Sequence, residues 1–163
     1  MMGGIVLMNY EDELSIIELP VPEKLWCGVL DPDLQIFTKE AREVLPKSYS
    51  QSDIVKQVAR MGTFISGLYS EDYELLAKGL RDLVAEPYRA KLLPHYDTVK
   101  QKALEKGALT CGVSGSGPAI YMFALSKKDI ESALNASQSV FMENNINCAF
   151  HLGKVNTEGA QIL

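Results

Sequence analysis

Across residues 52–69, apolar side chains fall at Ile54, Val58, Met61, Ile65 and Leu68. Steps of three and four put these positions on one side of an α-helix. Ser50 followed by Asp53 gives that helix a capping signature. The same spacing predicts a second helix over about 72–85, with Tyr73, Leu76, Leu80 and Leu83 on its apolar side. A third starts near Pro94, carries Val99 and Ala103, and stops at Gly107. A fourth follows Ser126, which with Asp129 repeats the cap signature, and turns Ile130, Leu134, Val140 and Phe141 inward. A short helix fits 39–45, with Thr38 as its N-cap.

Shorter apolar runs read as strands. Residues 4–8 and 14–19 flank the polar "NYEDE" and form a hairpin. Residues 25–30 form a buried run ended by Asp31-Pro32, and 119–125 is rich in aromatic and aliphatic residues. Residues 108–113 and 147–152 are weaker candidates. From residue 25 onward the order is βαββαβ with extra helices in the first crossover. That order predicts a ferredoxin-like α+β sandwich. The hairpin is left over. Two strands are not stable alone, so its apolar side must pack on this domain or on something outside this chain.

Composition narrows the function. The chain has 163 residues, 47% hydrophobic and 23% charged, which suits one soluble domain or a large part of a two-domain protein. A net charge of -5 argues against nucleic acid or an anionic membrane as partner. No apolar stretch approaches the roughly 18 residues that span a bilayer. The start, "MMGGIVLMNYEDE", has neither a basic region nor a long apolar one, so no signal peptide is read. Cys27, Cys111 and Cys148 are odd in number and far apart, which predicts buried free thiols and a cytoplasmic setting. His95 and His151 have no Cys or His at ligand spacing, so no metal site is expected on them.

The stretch "TCGVSGSGPAIYMFA" (110–124) carries the candidate chemistry. Its spacing, Gly112-x-x-Gly115-x-Gly117, is not the dinucleotide fingerprint, and Pro118 stands where a G-K-[ST] phosphate loop would continue. Two readings remain. Glycines at positive φ can turn successive N–H groups inward as an anion nest, with Ser114 and Ser116 adding hydroxyls. Otherwise this is a plain hairpin loop with no ligand.

The string "GVSGSGPAIYMFA" resembles the third motif of the GHMP kinases. "TKEAREVLP" (38–46) and "AEPYRAKLLP" (85–94), in that order and at about that spacing, are similar to the homoserine kinase branch. "GGIVLM" near the start and Gly159-Ala160 near the end are similar too. The resemblance covers nearly the whole chain but only the C-terminal half of such an enzyme. The family's P-x-x-x-G-L-G-S-S ATP loop has no counterpart here. Residues 1–22 then read as residual strands of the N-terminal GHMP domain, and 23–163 as the C-terminal domain.

The resemblance implies ATP- and Mg²⁺-dependent phosphorylation of the L-homoserine hydroxyl, toward threonine, by the complete enzyme. It implies no activity, and no bound ATP or Mg²⁺, for this chain alone. The implied partners are L-homoserine, the missing N-terminal domain and a second copy in a dimer. The implied roles are catalysis near the reacting hydroxyl for Thr38, and a grip on the substrate carboxylate for Arg42 and Arg89, whose planar forks suit it. Gly112, Ser114, Gly115, Ser116 and Gly117 are implied as a phosphate-side loop, with no metal-ligating residue. Each has a plainer rival: an N-cap for Thr38, a helix pair with Glu86 for Arg89, a surface pair for Arg42. A stand-alone ferredoxin-like module that binds an amino acid or drives assembly is the alternative for the whole chain.

Overall fold

The structure is a computed structural model and describes residues 3–160. Four strands, β3 (Trp26–Pro32), β4 (Thr110–Val113), β5 (Ile120–Ala124) and β6 (Cys148–Lys154), form one sheet in the order β4-β5-β3-β6. Every neighbouring pair is antiparallel. This is the ferredoxin-like arrangement that the βαββαβ order predicts. Alternation along the strands turns Leu30, Cys111, Ile120, Met122 and Ala124 to one face. There they meet Val99 and Ala103 of α5 (Tyr96–Glu105) and Ile130, Leu134 and Phe141 of α6 (Lys127–Glu143). Gly28 of β3 lets α6 approach, since a Cβ there would lie 2.8 Å from Leu134 Cδ1. The two strongest caps form as the sequence suggests. The Ser50 and Ser126 hydroxyls each accept from an N–H three residues on, both at 3.1 Å.

The opposite face of β4 and β5 meets the extra helices, α2 (Gln51–Ser70) and α3 (Tyr73–Gly79), where Tyr121 Oη donates to Leu80 O at 3.3 Å. The hairpin of β1 (Ile5–Tyr10) and β2 (Leu14–Leu19) makes a separate two-stranded sheet. Its base packs on this domain. Leu19, Ile5 and Leu7 close on Leu68, Leu76, Phe64 and Leu80. Its far end, with Met8, Tyr10, Leu14, Ile16 and Ile17, is exposed.

Several expectations are corrected. The helix expected over 72–85 stops at Gly79 although Leu80 and Leu83 continue its period. Asp82 takes over beyond it, accepting from the N–H groups of Val84, Ala85 and Glu86 at 2.7, 2.9 and 3.1 Å. The stripe of α2 is only half covered: Ile65 and Leu68 pack, while Ile54, Val58 and Met61 stay exposed. Strand β3 runs through Pro32, which pairs only with β6 because β5 has already ended. The first short helix, α1 (Thr38–Glu43), has Phe37 and not Thr38 at its N-cap; the Glu40 carboxylate accepts from Phe37 N–H at 3.4 Å.

Candidate functional site

Three segments far apart in sequence meet at Arg89. It ends the four-residue helix α4 (Glu86–Arg89), which carries Pro87 in its first turn, where a missing N–H costs nothing. Arg89 Nε donates to Ala41 O of α1 at 3.2 Å, and an Arg89 terminal N–H donates to Gly115 O of the glycine loop at 2.8 Å. Ala41 O needs such a donor, because Val44 N–H goes to Glu40 O and Leu45 N–H to Arg42 O. The side chain is half-buried, and of a guanidinium's five N–H groups three remain for a ligand. The rival reading of Arg89 as a partner of Glu86 does not hold, since Glu86 pairs with Lys100 of α5.

Arg42 is the residue after Ala41, so it lies beside Arg89's point of attachment. Its side chain is exposed and has no ion-pair partner among the described residues. The expected surface pair is therefore absent there, and Lys39 takes Glu43 in its place. Thr38 and Arg42 stand four apart on α1 and share a face. Thr38, at the first helical position, is exposed.

The loop after β4 turns on Gly115 (φ 58) and Gly117 (φ 83), and the Gly117–Pro118 peptide is cis. Those positive φ values are the ones a side chain resists. Two loop amides serve the turn: Ser114 N–H donates to Ala119 O at 2.8 Å and Gly117 N–H to Ser114 O at 2.9 Å. The consecutive N–H groups of Gly115 and Ser116, at the tip, make no backbone bond. Ser116 Oγ donates to Gly117 O at 3.3 Å, and Ser114 is exposed. Gly112 does not join them. It lies buried within β4 opposite Tyr121, where a Cβ would sit 2.7 Å from the ring.

The GHMP kinases C terminal family profile matches residues 64–141. Two curated relatives are homoserine kinases: 36% identity with that of Chlorobaculum tepidum, over 100% of this chain and 51% of the relative, and 37% with that of Chlorobium phaeovibrioides, over 99% and 51%. The crystal structure of homoserine kinase from Cytophaga hutchinsonii superposes with a TM-score of 0.96 at 35% identity, over 99% of this chain and 51% of that one. This chain carries a GHMP kinase C-terminal domain. It spans about half the length of the curated relatives it matches.

Within this GHMP domain the profile takes in α4, α5 and the glycine loop, while Thr38 and Arg42 precede it. Arg89 thus ties the matched region to the helix outside it. Around Glu86 lies a polar cluster that the sequence reading does not assemble. Burial, then the charge of Glu86, holds the Tyr96 phenol well above its ordinary range. Burial, then Glu86, also pushes Tyr121 up to about 12, and burial pushes the Cys111 thiol up to about 12. These three groups stay protonated at neutral pH, so none of them offers a general base. Cys27, Cys111 and Cys148 are free thiols. Among the described residues, no three His, Cys, Asp or Glu side chains converge as a metal site, and no helix is long and apolar enough to cross a membrane.

Proposed function

We propose that this chain supplies the amino-acid side of a homoserine kinase, an enzyme that moves the terminal phosphoryl group of ATP to the L-homoserine hydroxyl. The observation that carries the reading is the bridge from Arg89 to Ala41 O and Gly115 O, which unites "TKEAR", "EPYR" and the glycine loop in one region. Arg42 and the remaining N–H groups of Arg89 grip the substrate carboxylate. Thr38, on the same face of α1 as Arg42, lies near the hydroxyl to be phosphorylated. The Gly115 and Ser116 amides line the phosphate side. Phosphoryl transfer needs mostly alignment and charge neutralisation, so the absence of a base from this set is no obstacle.

The donor set does not fit Mg²⁺ on this chain, because no carboxylate cluster forms among the described residues and Glu86 is committed to Lys100. The ion and most contacts to ATP fall to the half of the relatives that this chain does not span. In this reading 1–22 belong with that half, and the complete enzyme is cytoplasmic, dimeric and serves threonine synthesis. A chimaera in which this chain replaces the matching half of the Cytophaga hutchinsonii enzyme tests it. Homoserine-dependent ATP consumption is expected from the chimaera and not from the 163-residue chain. Robust turnover by the chain alone overturns the reading. Micromolar homoserine binding by the chain without ATP turns it toward a stand-alone binding module.

A further inference from the structure

Helix α4 has four residues, too few to hold its own geometry. Its pose must come from outside. Asp82 fixes its entry through three backbone N–H groups. Tyr88 packs edge-on against the Tyr49 ring, with centroids 6.5 Å apart. The charged fastening at its first turn is the Glu86–Lys100 pair, whose side chains are 12% and 29% exposed. Lys100 Nζ also sits 5.8 Å from the Tyr96 ring centroid. Glu86 and Arg89 share one helical turn, so a shift of Glu86 carries Arg89 with it. The path then runs from α5 through the Lys100–Glu86 pair, along the single turn of α4 to Arg89, and through its two hydrogen bonds to α1 and the glycine loop.

We propose that Lys100 is a positioning residue: through Glu86 it sets the pose of α4, so that Arg89 reaches Ala41 and Gly115 together and ties the glycine loop to α1. The consequence for the reaction rests on the reading of Arg89 as a group that holds substrate. The mechanical coupling does not, and it can be measured on the chain alone.

Amide hydrogen exchange is followed in this chain and in its Lys100→Met, Arg89→Met and doubly substituted forms. The reporters are Ser114 and Gly117 in the loop and Val44 and Leu45 after α1, with α6 as reference. Lys100→Met should speed exchange at the reporters by about tenfold, the scale of a lost charge-assisted bond, and leave α6 as it was. The double form should match Arg89→Met alone, because both act on one link. Lys100→Arg should restore protection. Unchanged reporters in Lys100→Met, or effects that multiply in the double form, overturn the proposal. Should Lys100→Met loosen α6 as well, Glu86→Gln with Lys100→Gln, which leaves no buried charge without its partner, takes its place under the same criteria. In the chimaera, Lys100→Met should raise the homoserine KM more than it lowers kcat, with no further rise on top of Arg89→Met. If Arg89→Met itself leaves KM unmoved, the substrate reading fails while the exchange result still decides the coupling.

Discussion

In the proposed enzyme, Arg42 and Arg89 divide the work of holding a carboxylate. One is exposed and unengaged among the described residues, free to meet a ligand; the other is already braced on two carbonyls. Lysine keeps the charge but loses the planar fork. In the chimaera, Arg42→Lys and Arg89→Lys are therefore expected to raise the homoserine KM by roughly 10- to 100-fold, with a smaller effect on kcat. Steady-state kinetics checks both, and an unchanged KM in both refutes the assignment. The buried thiols and phenol predict a different behaviour. Burial raises Cys111 from 9.0 to about 12, Cys148 from 9.0 to about 11 and Tyr121 from 10.0 to about 12. The folded state holds these protons more tightly than the unfolded one. Their contribution is complete below about pH 9 and lost as pH climbs through 11 and 12. Urea midpoints should fall across pH 9–12, and Cys111→Ala should flatten part of that fall. A decline confined to pH 6–8 contradicts it.

The α2–α3 pair turns glycine chemistry into a test of packing. A Cβ at Gly67 would lie 2.5 Å from Leu76 N, and one at Gly79 would lie 2.3 Å from Phe64 N; at Gly62 it would meet nothing within 4 Å. Gly67→Ala and Gly79→Ala press on backbone that cannot yield. Each should cost at least about 1–3 kcal/mol. Gly62→Ala only gains helix propensity and should stabilise by about 1 kcal/mol. Urea unfolding of the three variants reads both signs, and a destabilised Gly62→Ala contradicts the geometry. These contacts also explain what the sequence reveals and hides. The caps at Ser50 and Ser126 are legible because donor and acceptor lie three residues apart. The end of α3 is not, because Leu80 and Leu83 keep the helical period while Asp82 diverts the chain. Arg89 is legible through its motif, but its acceptors are backbone carbonyls, which leave no mark in residue type. Lys100 is hidden for another reason: its partner lies fourteen residues away in a separate helix.

Apolar surface is distributed unevenly over the molecule. The sheet is sealed by α5 and α6, yet the far end of the hairpin exposes Met8 (67%) and Tyr10 (76%), and α2 exposes Ile54, Val55, Val58 and Met61. A two-stranded ribbon with bare apolar side chains and unpaired edges asks for a covering surface. In the proposed enzyme the half that this chain does not span supplies it. Met8 and Ile16 face each other across the ribbon, so they test one patch. Threonine at both keeps strand propensity and removes apolar area. In the chain alone, where water already wets these positions, Met8→Thr with Ile16→Thr should leave the melting temperature within a few degrees and improve solubility. In the chimaera the same pair should cost about 2–4 kcal/mol, as two buried side chains lose their apolar contacts. Thermal melts of both proteins decide the matter. Equal, small effects in the two contexts mean that the other half does not cover this ribbon. Sedimentation of the isolated chain then supplies the rival account: a dimer that the threonine pair dissociates has a second copy seated on the hairpin instead.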